Sequence, residues 1–116
     1  MILKNNRPVL LEGAPGARRI MNRNAQVLLN IILFGMTPQE AIVQPVVDVS
    51  GSKTYVDSRM PESTIKGLIS LEHDIELLEE EPAPTGYFAR PSAIQVDYQR
   101  NLLRAGVDSF LSLIHI

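Results

Sequence analysis

Blocks of apolar and polar residues along the chain predict short strands and three helices. Apolar residues 9–11 predict a strand, and the long apolar stretch at residues 18–34 predicts the first helix. Apolar residues at three- and four-residue spacing predict its core-facing stripe: Met21, Ala25, Leu28, Leu29 and Ile32. Ile31 and Leu33 lie off that stripe, which predicts that the C-terminal half of the helix is covered on two sides.

Local signals place the next elements. Thr37 and Glu40 predict a capping box at the start of a short second helix, which Pro45 ends near residue 44. Further along the chain, the pattern predicts extended segments at residues 46–49 and 53–57, a third helix at residues 61–71 and a strand at residues 74–78.

Two hairpins complete the predicted elements. The first spans residues 2–11 around Asn5-Asn6, because asparagine tolerates left-handed backbone angles. The second spans residues 93–107, and the alternation in its first strand places Ile94, Val96 and Tyr98 on one face. Strand pairs interspersed with helices predict an α/β or α+β fold, and 116 residues suffice for one small domain.

The segment between the first predicted strand and the first helix is the strongest candidate for chemistry. Gly13, Pro15 and Gly16 break the strand, and Arg18 and Arg19 open the helix. A turn at a helix N-terminus presents free backbone N–H groups, which suit an anion or a developing oxyanion. The same glycines also serve simply to turn the chain, and spacing alone favours that second interpretation.

Composition excludes several kinds of site. A net charge of −2 gives no sign of a nucleic-acid partner, no apolar run is long enough to span a bilayer, and the absence of cysteine excludes disulfides and thiol chemistry. The two histidines, His73 and His115, have no metal-ligand spacing, so neither a metal nor a cofactor is predicted. For His73 we expect a solvated or capping role.

Residues 9–45 carry a resemblance to the small subunit of the γ-glutamyltransferase family. That family has a Gly-x-Pro-Gly-Gly-x-Arg-Ile turn, a Gln-x-x-x-Asn helix, and a Met-x-x-x-Glu-Ala segment followed by a proline. The corresponding residues here are Gly13-Ala14-Pro15-Gly16-Ala17-Arg18-Arg19-Ile20, Gln26 to Asn30, Met36 to Ala41, and Pro45. A weaker similarity continues through Glu72-His73 to Ala105-Gly106-Val107-Asp108, so that it covers about residues 1–110.

The resemblance implies a fold, a reaction and a site. The fold is α+β, a fragment of the four-layer αββα sandwich of the N-terminal nucleophile hydrolases. The reaction is cleavage of γ-glutamyl amides such as glutathione, with transfer of the γ-glutamyl group to water or an amino acid. An N-terminal threonine, freed when the precursor cuts itself, attacks the amide, and its α-amine serves as base. Gly16 and Ala17 stand where the family's glycine pair gives backbone N–H groups to the oxyanion.

Several departures from the family pattern bear on this interpretation. The nucleophile segment lies upstream of the region covered here, Ala17 replaces the second glycine, and Val46 replaces an arginine. The parent could therefore be a divergent branch, such as an acylase with another amide substrate. The implied partners are a small γ-glutamyl substrate and the rest of the precursor. Many family members are periplasmic or extracellular, and no signal peptide is visible in this chain.

Two further expectations remain open. A stand-alone binding module, holding a phosphate or carboxylate at the glycine turn with Arg18 and Arg19, is the alternative from a different functional class. Residues 111–116 do not continue the family pattern and resemble the translated end of a sequencing adapter. We therefore expect a partial small-subunit domain at residues 1–110 and a non-native tail at residues 111–116.

Overall fold

The computed structural model describes residues 1–79 and 88–109 of the chain. It contains seven strands and three α-helices within those residues. The strands are β1 (Ile2–Lys4), β2 (Arg7–Gly13), β3 (Val47–Asp48), β4 (Thr54–Asp57), β5 (Ile75–Leu78), β6 (Ser92–Asp97) and β7 (Leu102–Val107). The helices are α1 (Ile20–Ile32), α2 (Pro38–Ile42) and α3 (Glu62–Ser70), and a 3-10 turn (Ala17–Arg19) leads into α1. The predicted elements therefore exist, with shifts of a few residues at their ends.

The larger sheet is antiparallel and joins the two ends of the described chain in the order β1-β2-β6-β7. Both predicted hairpins lie in it, with β1 paired to β2 and β6 to β7. Asn5 and Asn6 have φ angles of 51° and 63°, which confirms the left-handed turn expected from the asparagine pair. Strand β2 pairs with β6, and Gly13 lies opposite Ser92 at the end of that pairing. The turn after β2 is thus carried by the centre of the sheet.

The smaller sheet has the order β3-β4-β5. Strand β3 is antiparallel to β4, and β4 is parallel to β5, with α3 forming the crossover between them. His73 lies just before β5, and its Nδ1 is 2.9 Å from Oγ1 of Thr54. Of the two expected roles, the solvated one is wrong, because this side chain is half-buried and hydrogen-bonded to β4. The backbone N–H of His73 donates to the carbonyl oxygen of Leu68 in the last turn of α3 at 3.2 Å, which is a capping contact.

Helix α1 buries a different row from the predicted stripe. The buried residues are Arg23, Val27 and Ile31, whereas Met21 is 81% exposed. The reason is hydrogen bonding. The guanidinium group of Arg23 donates to the carbonyl oxygens of Ile42 and Gln44 at 2.5 and 3.3 Å, which turns that side of the helix inward.

A polar residue next to that row also binds backbone. The side-chain amide of Gln26 donates to the carbonyl oxygen of Val47 at 2.6 Å and accepts from the N–H of Val47 at 3.0 Å. Gln26 therefore pairs with β3 as another strand would. These two hydrogen bonds satisfy both backbone groups of Val47, because buried N–H and C=O groups require partners.

The predicted cover of α1 on two sides is wrong, and the larger sheet is covered on one face only. The C-terminal half of α1 exposes apolar residues, including 49% of Leu29 and 56% of Ile32, so it is not covered on two sides. In β6, Ala93 is buried and Ile94 is 42% exposed, because α1 and α2 cover only the opposite face of the sheet. The core lies between that face and the two helices: Leu10, Val27, Ile31, Ala41, Ile42 and Ala93.

Helix α2 docks on β7 through backbone contact. The predicted capping box is present: the N–H of Glu40 donates to Oγ1 of Thr37, and Oε2 of Glu40 accepts from the N–H of Thr37 at 2.8 Å. A β-carbon built on Gly106 would lie 2.5 Å from the Gln39 nitrogen, so the start of the helix sits directly on the strand. The side-chain amide of Gln39 also binds both backbone groups of Val107, at 3.0 and 3.2 Å.

Candidate functional site

The glycine turn connects the last residue of β2 to the first turn of α1. Gly16 has φ +143° and Ala17 has φ +51°, so two consecutive residues have positive φ angles. The N–H of Arg19 then donates to the carbonyl oxygen of Gly16 at 3.1 Å, which closes the 3-10 turn. The turn therefore reverses the chain within a few residues and directs it into the helix.

Glycine is required at position 16 by two independent features. Its φ lies in a region that side chains rarely adopt, and a β-carbon there would be 2.6 Å from the β-carbon of Ala89. Arg90, which follows Ala89, donates its backbone N–H to the carbonyl oxygen of Pro15 at 3.1 Å. The turn therefore rests on the segment that precedes β6. This contact is consistent with both interpretations of the glycines, a turn that only shapes the chain and a turn that serves catalysis.

Ala17 is in the left-handed region, where a residue with a β-carbon is disfavoured by roughly 1 kcal/mol. The alanine that replaces the family's second glycine is therefore locally strained, since its φ is +51°. Gly at this position, which the family pattern has, would adopt the same angle at no steric cost.

The backbone N–H groups at this turn have no hydrogen-bond acceptor among the described backbone carbonyls. Gly16 and Ala17 are both exposed, and neither donates a hydrogen bond to a carbonyl within residues 1–79 and 88–109. They lie at the start of the helical segment, where the peptide dipoles favour negative charge. Chemically, the turn can accept a carboxylate, a phosphate or the oxyanion of a tetrahedral intermediate.

A buried ion pair lies beside the turn. Nη1 of Arg90 is 3.4 Å from Oδ1 of Asp108, and these residues are only 5% and 3% exposed. The N–H of Asp108 also donates to the carbonyl oxygen of Pro91 at 2.9 Å. Sequence reasoning did not single out Arg90. Asp108 entered only as part of the Ala-Gly-x-Asp resemblance, and no periodicity marks either residue as buried.

Glu12 is a second residue near the turn that sequence reasoning missed. Both of its carboxylate oxygens are buried and have no hydrogen-bond partner among the described residues. Burial raises the pKa of the Glu12 carboxyl from its usual 4.5 to about 7, against the opposing effects of the positive Met1 amino group and Arg23. The carboxyl is consequently poised to change its charge near neutral pH.

We expect stability to fall as pH rises from about 4.5 to about 7, because the folded chain holds the Glu12 proton more tightly than the unfolded chain does. Glu12→Gln should therefore unfold at higher urea concentration than the unmodified chain at pH 8, with a smaller difference at pH 5. Glu76→Gln, on an exposed residue of β5, is the control. An equal difference at both pH values for Glu12→Gln would contradict the expectation.

Other features of the described residues add little chemistry. A cavity of about 430 Å³ is lined by Asp57 and Arg59, among others. These two residues already satisfy each other, since the guanidinium binds both carboxylate oxygens at 2.6 to 3.2 Å. In the part of the chain that the structure describes, there is no cluster of three metal-ligating side chains, and no helix has the length and apolar character to cross a membrane.

The arrangement of sheets and helices matches solved N-terminal nucleophile hydrolases. A cephalosporin acylase from Bacillus halodurans matches with a TM-score of 0.80 and 27% identity, over 92% of this chain and 19% of that chain. A Helicobacter pylori gamma-glutamyltranspeptidase mutant matches with a TM-score of 0.76 and 24% identity, over 94% of this chain and 57% of that chain. The fold is therefore that of the N-terminal nucleophile hydrolases, as the resemblance implied.

The family is shown by sequence. The gamma-glutamyltranspeptidase family model matches residues 1–110, so the chain belongs to that family, whose other name is γ-glutamyltransferase. A curated relative, the acylase ACY 1 proenzyme of Pseudomonas sp. (strain SE83), is 33% identical over 75 residues. That match covers 65% of this chain and 13% of the acylase, so the chain spans a small part of its relative's length.

Proposed function

We propose that this chain is part of an enzyme that cleaves γ-glutamyl amides, such as glutathione, and transfers the γ-glutamyl group to water or an amino acid. The observation that carries the proposal is the turn between β2 and α1, where Gly16 and Ala17 present N–H groups that no described carbonyl accepts. Membership of the gamma-glutamyltranspeptidase family supports the reaction class.

The turn would act on the charge that develops during attack. An N-terminal threonine, supplied by a segment outside this chain, adds to the amide carbonyl carbon, and the carbonyl oxygen becomes negative. Two N–H groups fixed before the reaction stabilise that oxygen without having to reorganise. When the amine leaves, the carbonyl re-forms as an ester of the threonine. Water or an amino acid then attacks the ester and passes through the same oxyanion.

An acylase of the same fold is the alternative enzyme. Its support is that an acylase proenzyme and a cephalosporin acylase are among the similar proteins. The two substrates differ at the α-amino group, which a γ-glutamyl anilide has and a glutaryl anilide lacks. Comparing kcat/KM for these two anilides, with an enzyme whose gene includes this chain, separates the alternatives. A preference for the glutaryl compound would overturn the γ-glutamyl assignment.

The isolated 116-residue chain should release no product from a γ-glutamyl anilide above a buffer blank. The reason is that the proposed nucleophile, an N-terminal threonine, is not among its residues, and an oxyanion site alone supplies no covalent step. The measurement is absorbance of the released aniline over hours at high protein concentration. Turnover that scales with protein concentration and survives repurification would contradict the assignment of the nucleophile to another segment.

A non-catalytic anion-binding module has one specific observation in its favour. Helix α1 begins directly after Arg18 and Arg19 and has no acidic residue in its first turn. Cations at a helix N-terminus oppose the helix dipole, so a bound anion would relieve that repulsion. Saturable binding of phosphate or glutamate to the isolated chain, weakened in Arg18→Gln, would support this module, and absence of binding would exclude it.

A further inference from the structure

The glycine turn packs against residues 88–90, the segment before β6. Phe88, Ala89 and Arg90 are 4%, 1% and 5% exposed, although they lie outside any strand or helix. Ala89 fills the space beside Gly16, and the Arg90 N–H binds the Pro15 carbonyl. Any movement of this segment therefore moves Gly16 and the residue that follows it.

Arg90 connects that segment to the residue after β7, Asp108. Its backbone binds the turn, and its side chain binds the buried carboxylate of Asp108. Asp108 is held in turn by its own N–H, which donates to the Pro91 carbonyl at 2.9 Å. One residue thus connects the turn to a carboxylate that lies just beyond the end of β7.

The position of Asp108 is fixed from the other side by α2. The residue before it, Val107, has both backbone groups bound by the side chain of Gln39. Gly106 lies against the backbone at the start of the same helix. The end of β7 is therefore held by a capped helix, which gives the ion pair a rigid base.

We propose that the Arg90–Asp108 pair positions the Gly16–Ala17 turn for reaction. The pair would fix the position of the turn and add little to stability, because buried ion pairs are often replaced by apolar residues of similar size with little loss of stability. Asp108 fixes the Arg90 side chain, and the Arg90 N–H binds the Pro15 carbonyl. Ala89, next to Arg90, limits where Gly16 can lie. The effect on catalysis rests on the proposed oxyanion role, whereas the effect on the turn's geometry does not.

The first test measures the turn itself in the 116-residue chain. The double variant Arg90→Met, Asp108→Leu removes both charges and leaves neither partner buried alone. We expect amide hydrogen exchange to rise at least tenfold at residue 19, whose N–H binds the Gly16 carbonyl, and at residue 90, whose N–H binds the Pro15 carbonyl, with exchange in β6 and β7 unchanged. The matched control is Asp97→Asn with Arg104→Gln. That ion pair joins the same two strands at their other end, with 3.2 Å between Nη1 of Arg104 and Oδ2 of Asp97.

Turn exchange equal to that of the unmodified chain would overturn the proposal. If the double variant does not fold, Arg90→Lys is measured instead, because it keeps the charge but loses the guanidinium geometry. Arg90→Lys should show a smaller rise confined to the same two amides. A uniform rise across all strands would show that the pair acts on stability alone and would also overturn the proposal.

The second test measures turnover in the enzyme whose gene includes this chain. The double variant should lower kcat at least tenfold with KM within about twofold, because positioning an oxyanion donor acts on the transition state. A fall in kcat with unchanged exchange at the turn would overturn the positioning role. Faster turn exchange with normal kcat would leave the positioning of the turn in place and would count against the oxyanion function instead.

Discussion

Gly16→Val should lower kcat by about a hundredfold or more in the enzyme whose gene includes this chain, because losing one oxyanion donor costs on that order. Valine cannot occupy the position unchanged: its β-carbon would fall 2.6 Å from that of Ala89, at a φ of +143°. The turn must then shift away from residues 88–91, and its N–H groups must move with it. Steady-state kinetics with a γ-glutamyl anilide gives the measurement.

Ala17→Gly is the matched control at the neighbouring residue. It removes the left-handed strain at φ +51° and keeps the N–H, so turnover should be retained and the free energy of unfolding should rise by up to about 1 kcal/mol. Circular dichroism must show that Gly16→Val is folded. A folded Gly16→Val variant with near-normal kcat would show that the turn is structural and has no oxyanion role.

Gly106→Ala should destabilise the chain by about 3 kcal/mol, at the upper end of what overpacking usually costs. An added methyl group would lie 2.5 Å from the Pro38 carbonyl carbon and 2.5 Å from the Gln39 nitrogen. These are backbone atoms in a capped first turn, so no rotamer change can relieve the clash. The helix must separate from β7 and lose the two hydrogen bonds from the Gln39 side chain. Urea unfolding followed by circular dichroism measures the change.

Gly13→Ala provides the comparison for that experiment. Gly13 lies in β2 of the same sheet, and a β-carbon there meets nothing within 4 Å. We expect a change within about 0.5 kcal/mol, typical of a substitution that disturbs no contact. If both variants are equally destabilised, the loss comes from the strands themselves and not from the contact between α2 and β7.

Features decided by neighbouring residues could be predicted from the sequence. The capping box at Thr37 and the asparagine hairpin depend on residues within four positions of one another, and both are present. The stripe of α1 could not be predicted in this way. Arg23 is buried because carbonyl groups near the end of α2 accept its hydrogen bonds, and hydrophobic periodicity has no signal for a charged residue in that role.

The candidate site likewise has one feature that the sequence predicts and others that it does not. The glycine turn is visible in the sequence because glycine and proline mark it directly. Its dependence on Ala89 and Arg90 is not visible, since those residues are distant in sequence and become neighbours only when β2 pairs with β6. The clash that requires glycine at position 106 is likewise invisible, because the atoms concerned belong to the backbone of a distant helix.

The pairing of β2 with β6 has a consequence for the order of folding. The smaller sheet joins β4 to β5, which are close in sequence, whereas the larger sheet joins β2 to β6, which are far apart in sequence. Closing the longer loop costs more entropy and is slower, so β4 and β5 should gain protection in pulse-labelled hydrogen exchange before β2 and β6. Because the glycine turn rests on the segment leading into β6, its final geometry would be acquired only in the last step of folding.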